Sequence, residues 1–205
     1  MLRLPFRVTA DLPAADAAVR TAVAGHGIVA VPTETAYGLA VSPGDDVAVG
    51  RLFELKRRPR EKALLVVGAS IDQLAELVRI PDEWRKRLEA AWPAALTVVL
   101  PAAGPTAAGG GWGSLAVRVP AHPLLRSLLA AVGPLTATSA NPSGGEALAS
   151  PDAVAGALGH GVAVLLDGGP TPGGAPSTLV DLMSSPPRVL REGAWTPPEA
   201  WFAGA

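Results

Sequence analysis

The 205-residue sequence contains no cysteine. Disulfide bridges, thiolate nucleophiles and cysteine-bound zinc are thereby excluded. Histidine is scarce too: His26, His122 and His160 lie far apart and match no metal-ligand spacing, which reads each as a surface or helix-end residue rather than a ligand. Lysine is limited to Lys56, Lys62 and Lys86. A formal net charge of -1 makes no global case for a nucleic-acid or membrane partner, so any electrostatic work must be local. No apolar run reaches membrane-spanning length, and Asp11 and Asp16 interrupt the region where a signal peptide would be apolar. A soluble, cytoplasmic protein is the expectation. Neither a Walker A sequence nor a G-x-S-x-G elbow is present.

What is present is apolar and compact. Hydrophobic residues make up 49% of the chain and charged residues 17%, the balance of a globular protein. The length suits one well-buried domain, or at most two small ones. Ile28 to Val31 is a short β-branched run, read as a strand buried on both faces. Pro32 ends regular pairing, and Thr33, Glu34, Thr35 and Tyr37 follow at the mouth of that strand. A buried strand opening into a polar loop is how an α/β protein presents a site, although a threonine-rich turn would look the same. Gly25-His26-Gly27 with Ala30 superficially fits a dinucleotide fingerprint, but it precedes a strand where that motif must follow one.

Helices are expected from an Asp11 cap to Gly25, from Asp45 or Asp46 to Lys56, from a Ser70–Gln73 capping box to Arg79, from Pro81 to Trp92, from His122 to Val132, and from a Ser150 cap to Leu158. Strands are expected at Ala63–Val67, Leu96–Leu100, Ser114–Pro120, Leu135–Ser139, Val162–Leu166, Ser177–Leu182 and Arg188–Arg191. A flexible Gly/Ala-rich stretch is expected over Pro101–Gly113 and a Gly/Pro loop over Gly168–Pro176. Several strands lack an intervening helix, so mixed or antiparallel pairing within one α/β domain follows.

Three features could carry chemistry. The run Lys56-Arg57-Arg58-Pro59-Arg60-Glu61-Lys62 is either a solvated helix end or a phosphate clamp. Thr136 to Gly145 places hydroxyls, the Asn141 amide and glycines after a strand, which suits an anion-binding nest or an ordinary Asn-Pro turn. Arg118 lies within an apolar strand, where an unpaired charge costs several kcal/mol, on the order of 3–5 when a partner is removed. Its partner is a structural carboxylate or a bound carboxylate ligand; the sequence does not choose. Without a P-loop, an ATP site would have to be assembled from Lys56, Arg58, Ser139, Asn141 and Arg191, with magnesium carried on phosphates and water.

These segments together resemble the YrdC family of L-threonylcarbamoyladenylate synthases. The likeness rests on Pro32-Thr33-Glu34-Thr35-Ala36-Tyr37-Gly38-Leu39, Lys56-Arg57-Arg58-Pro59, Trp92-Pro93, Leu96-Thr97, Val117-Arg118-Val119-Pro120, Ser139-Ala140-Asn141, Ser177-Thr178-Leu179-Val180-Asp181 and Leu190-Arg191-Glu192-Gly193. They run in the family's order over roughly residues 20 to 194. The resemblance implies an α/β fold with a twisted open mixed sheet, flanking helices and a large concave cavity. It implies a single domain over 1–205, the short form of the family, with a core of about 15–194 and a tail over 195–205. It also implies a reaction in which L-threonine, bicarbonate and ATP give threonylcarbamoyl-AMP and pyrophosphate, with Mg2+ entering on ATP. A downstream threonylcarbamoyl transferase complex would pass the group to tRNA, which the protein could also contact.

By the same resemblance, Lys56, Arg58, Ser139 and Asn141 form a polar tetrad around the nucleotide and carbamoyl group. Thr35, Arg118 and Ser177 hold threonine, with Arg118 pairing its carboxylate. Arg58, Lys62, Ser114, Asn141, Ser150 and Arg191 are the ATP-binding candidates. This sequence departs from the family pattern at Lys62 (commonly Asn or His), Ala63 (Pro), Val67 (often His near threonine) and Ala94-Ala95 (Gly-Pro). Two alternatives stand beside this reading. One is a non-catalytic double-stranded RNA or tRNA-binding module using the basic run; the other is a carbamoyl-adenylate enzyme of the hydrogenase-maturation type with a different substrate.

Overall fold

The computed structural model describes residues 1–59, 63–141 and 144–202. Strand β1 (Leu2–Pro5) leads through a 3-10 turn into α1 (Leu12–Ala24). A hairpin of β2 (Val29–Pro32) and β3 (Tyr37–Ala40) is followed by α2 (Asp46–Lys56) and β4 (Leu65–Val67). Helices α3 (Ile71–Ala75) and α4 (Asp82–Ala91) precede β5 (Leu96–Pro101) and β6 (Ser114–Arg118). After α5 (Pro123–Val132) come β7 (Leu135–Thr136), β8 (Thr138–Ser139) and α6 (Pro151–Leu158). Strands β9 (Val164–Asp167), β10 (Thr178–Asp181) and β11 (Arg188–Arg191) close the order of elements.

The strands form two mixed sheets, where the sequence suggested one. The first has the order β1-β9-β2-β3-β8 and the second β11-β10-β5-β6-β4-β7. The segment expected as one strand over Leu135–Ser139 is the seam between them. Leu135 and Thr136 pair with β4 of the second sheet, whereas Thr138 and Ser139 pair with β3 of the first. Ala137 turns the chain between the two, and Thr136 Oγ1 accepts the Val41 N–H at 3.0 Å.

Side-chain alternation along β2 explains why its run is apolar throughout. Val29 and Val31 face a core shared with Phe6, Val19 of α1 and Leu125, Leu128 and Leu129 of α5. Ile28 and Ala30 face the larger core, with Leu52 and Phe53 of α2, Leu158 of α6, and Leu96 and Val98 of β5. In the second sheet the same period sends Leu96, Val98, Leu115 and Val117 into the core. Thr97, Ala116 and Arg118 are left on the opposite face. That face is the floor of a cavity.

Local differences from the expected elements have identifiable causes. Of the two candidate caps of α2 it is Asp45 that accepts the Val47 and Ala48 N–H groups, at 3.0 Å each, while Asp46 is the first helical residue. Helix α3 ends at Ala75 rather than Arg79 because Val78 pairs with Ala102 and Arg79 N–H bonds the Pro101 carbonyl. Within its capping box, Gln73 reaches back to the Ala69 N–H at 2.7 Å instead of that of Ser70. The stretch expected to be flexible holds a 3-10 turn at Ala107–Gly109, with Ala108 fully buried and bonded to Pro43 and Leu64 through its backbone. The supposed core boundaries are also too narrow. At one end β1 pairs with β9 and Phe6 is buried; at the other Trp201 is 6% exposed and meets Trp84 edge to face, ring centroids 5.2 Å apart.

Candidate active site

A cavity of about 690 Å³ lies between the outer face of the second sheet and the β2–β3 turn. Leu65, Thr97, Ala116, Arg118, Leu179 and Arg191 supply its floor; Thr33, Thr35, Tyr37, Thr138, Ser139 and Asn141 stand opposite. Each wall follows from strand period or turn chemistry. Thr33 organises the β2–β3 turn: its hydroxyl donates to the Ala36 carbonyl at 2.7 Å and accepts the Thr35 N–H at 3.2 Å. That turn delivers Thr35 into the cavity. Tyr37 ties the following strand to the glycine loop, donating to the Gly169 carbonyl at 2.7 Å and accepting the Gly168 N–H at 3.1 Å. Burial pushes its phenol up to about 12, so it stays a neutral donor.

Of the four residues expected to form a tetrad, Lys56, Ser139 and Asn141 are joined by hydrogen bonds and Arg58 lines the same cavity, but Lys56 stands behind the wall rather than on it. Helix α2 ends with Arg57 in the left-handed region, φ 52°. That reversal separates Lys56, buried at 2% exposure, from Arg58, which lines the cavity. Lys56 Nζ donates to the Ser139 carbonyl, to the Asn141 carbonyl at 2.6 Å and to Asn141 Oδ1 at 3.2 Å. Asn141 Oδ1 also accepts from Ser139 Oγ at 2.5 Å, while Asn141 Nδ2 donates to the Gly145 carbonyl. The amide is therefore held from three sides. Burial, with a smaller contribution from Arg58, pushes Lys56 down to about 8. Arg58 donates to the Ala63 carbonyl at 3.0 Å, and burial lowers its own pKa.

Arg118 is 3% exposed and ends β6 on the cavity floor. Burial lowers the pKa of its guanidinium; Glu34 opposes that shift and Arg191 adds to it. Glu34 Oε1 lies 3.5 Å from Arg118 Nη1, yet both Glu34 oxygens and Arg118 Nε are buried without a hydrogen-bond partner. Beside Arg118, Ser177 shares a 2.8 Å hydroxyl contact with Thr97, and Arg191 Nη2 donates to the Ser177 carbonyl at 2.8 Å. Gly193 has to be glycine here. A Cβ at that position would meet the Pro176 carbonyl at 2.2 Å and Thr178 N at 2.5 Å, displacing the backbone on both sides of Ser177.

Thr35, Arg58, Arg118, Ser139, Asn141, Ser177 and Arg191 thus line one cavity. Lys62 falls outside the described residues. Ser114 shares the strand face of Ala116 and Arg118 but lies beyond the lining, toward the start of β6. Ser150 is not among the lining residues, and its hydroxyl accepts the Ala153 N–H at 3.2 Å as the N-cap of α6. That local bond answers one of the helix's orphan donors. Val67, opposite Arg118 in the β4–β6 register, is fully buried in the smaller core. Thr97 is absent from the expected site set, and Glu34 is expected at the mouth of the strand without a role. The signal for Thr97 was there, a hydroxyl alternating with the apolar inward positions of β5.

Fold and site together define a YrdC-like α/β protein with a cationic, hydroxyl-lined cavity. The family model described as "Telomere recombination", for Sua5, YciO and YrdC proteins, matches residues 21–193, and the chain belongs to that family. Threonylcarbamoyl-AMP synthase of Pyrococcus abyssi is 40% identical over 170 residues, covering 81% of this chain and 50% of that protein. The threonylcarbamoyl-AMP synthase of Vibrio cholerae is 38% identical over 172 residues, covering 81% of this chain and 90% of that one. The chain therefore spans half of the archaeal relative's length and most of the bacterial one's. Among solved structures, P. abyssi Sua5 complexed with L-threonine superposes with a TM-score of 0.84 at 36% identity, covering 94% of this chain and 57% of that chain. E. coli YciO reaches 0.84 at 22% identity over 98% of both chains, a likeness of fold.

Proposed function

We propose that this protein is a threonylcarbamoyl-AMP synthase, joining L-threonine, bicarbonate and ATP. The observation that carries the reading is Arg118, a buried guanidinium facing a roomy cavity with its nearest carboxylate outside hydrogen-bond geometry. A substrate carboxylate supplies the missing bidentate partner. Thr35 and Ser177 flank that position and receive the rest of the amino acid.

The chemistry follows from the groups present. The neutral α-amine of threonine attacks the bicarbonate carbon, forming a carbamate and releasing water. A carbamate oxygen then attacks the α-phosphorus of ATP; the bond from that phosphorus to the β-phosphate bridging oxygen breaks, and pyrophosphate leaves. No protein nucleophile is required, only alignment and cationic neutralisation of the phosphates. Arg58 and Arg191 supply the charge, and Ser139 and Asn141 supply donors opposite them. Lys56 shapes the Ser139–Asn141 turn from behind, and Ser114, beyond the lining toward the start of β6, is the candidate to meet the far end of the nucleotide. Magnesium, carried on the ATP phosphates, would add to that neutralisation.

A downstream transferase and tRNA complete the pathway in this reading. The RNA-binding alternative uses the cavity's basic rim and the Lys56–Lys62 run, of which Lys56 is buried. The test is pyrophosphate release from ATP and bicarbonate, with and without L-threonine. Release should depend on threonine in the wild type and be lost in Arg118→Ala. Threonine-independent release, or none, overturns the reading.

A further inference from the structure

The Glu34 carboxylate has no part in the reading above, yet it is the most anomalous polar group in the described structure. It sits at the tip of the β2–β3 turn with both oxygens enclosed and unpartnered. The turn around it is rigidly built by Thr33, and the Gly173 N–H bonds the Thr35 carbonyl at 2.8 Å, so the tip is held on two sides. From the first sheet, Glu34 reaches across to Arg118 of the second at 3.5 Å. One further cation and one imidazole, whose pKa burial lowers, act on this pair. Arg191 repels Arg118 from the cavity side, and His122, at the start of α5, lies within electrostatic reach of Glu34. His122 Nδ1 accepts the Leu125 N–H at 3.2 Å, so in the neutral imidazole the proton is on Nε2.

A buried carboxylate without hydrogen bonds is expensive unless it offsets a charge. Here it offsets Arg118 without occupying the guanidinium's hydrogen-bond positions, because the contact is long. That arrangement keeps Arg118 charged and in place while leaving its donors for a ligand. Shortening the contact into a bidentate pair would satisfy both groups and remove the site. We propose that Glu34 is a positioning residue for Arg118, holding the guanidinium aimed at the carboxylate of the amino-acid substrate. This rests on the functional reading above.

The experiment compares wild type, Glu34→Gln and Glu34→Asp in pyrophosphate release, with L-threonine and ATP varied separately. Binding of L-threonine and of threoninol, which lacks the carboxylate, is measured alongside. In Glu34→Gln the KM for threonine should rise about tenfold or more, with the KM for ATP within about twofold of wild type. Threoninol binding should be unchanged, because it makes no use of Arg118. Glu34→Asp, which keeps the charge but withdraws it, should fall between wild type and Gln. If the Gln variant does not fold, the Asp variant decides by the same threonine-against-threoninol comparison. An unchanged KM for threonine, or equal losses for threonine and threoninol, overturns the proposal while leaving the synthase reading intact. Failure of the wild type to release pyrophosphate with threonine overturns both.

Discussion

Lys56 Nζ donates to the Asn141 carbonyl at 2.6 Å and to its side-chain oxygen at 3.2 Å, joining the end of α2 to the turn after β8. One ammonium thereby fixes both the backbone and the amide orientation of a residue on the cavity wall. Lys56→Met keeps the length and apolar stem of the side chain but removes the donor. Three oxygens are then left short of a partner, each worth about 1–3 kcal/mol when buried. Loss of the charge's own desolvation cost offsets part of this. We therefore expect a folded protein whose ATP affinity falls about tenfold or more, measured by calorimetry beside circular dichroism.

The pH dependence of the same residue has two opposite signs. Burial holds native Lys56 at about 8 against an ordinary value of 10.5. Below the native value both folded and unfolded chains are protonated, and folding carries the full cost of burying the charge. Between the two values the native amine releases its proton first, so stability rises with pH, by up to about 3 kcal/mol. Activity moves the other way. A neutral amine has two N–H bonds for three acceptors, so the KM for ATP should rise as pH passes about 8. Urea midpoints and initial rates across that window check both, with Lys56→Met lacking the stability rise.

Thr97→Val tests the cavity floor without changing its shape. The Thr97 hydroxyl meets Ser177 Oγ at 2.8 Å, and Ser177 is 4% exposed. Replacing the hydroxyl by a methyl removes the shorter of two contacts to Ser177 Oγ and leaves it the 3.2 Å bond it accepts from Arg191 Nη2. We expect the KM for L-threonine to rise about fivefold, with a stability loss of about 1 kcal/mol. An unchanged KM for threonine would remove Ser177 from the amino-acid subsite.

Ser150→Ala should cost about 1 kcal/mol of stability through loss of the α6 cap, with Ser150→Asp restoring it. The KM for ATP should stay within about twofold of wild type in both variants. A rise in the KM for ATP in Ser150→Ala would return Ser150 to the nucleotide site.

Trp201→Ala addresses the C-terminal segment. Trp201 packs on Trp84 and lies 5.3 Å from Trp195, centroid to centroid, within the larger core. Removing it should cost about 3–5 kcal/mol, measured by urea denaturation. A change under about 1 kcal/mol would make 195–202 part of the tail outside the core that the family resemblance implies.

Elements whose signals are local could be read from the chain alone. Ser70 and Ser150 cap helices because a side-chain oxygen next to an apolar periodic run has one favourable use. Ile28–Val31 had to be buried on both faces because none of its residues can face water without loss. The segments that meet at the cavity were legible by family resemblance, since Thr35, Arg58, Arg118, Ser139, Asn141, Ser177 and Arg191 come from separated strands and turns. Tertiary structure decided the rest. Leu135–Ser139 reads as one strand, and only the packing of two sheets splits it at Ala137. Lys56 and Arg58 look alike in a basic run, but the left-handed Arg57 between them sends one behind the wall and the other onto it. Whether Arg118 pairs with a protein carboxylate or keeps its donors for a ligand depends on a cross-sheet distance to Glu34. Such distances are set by how whole layers pack, and short-range sequence patterns carry no record of them.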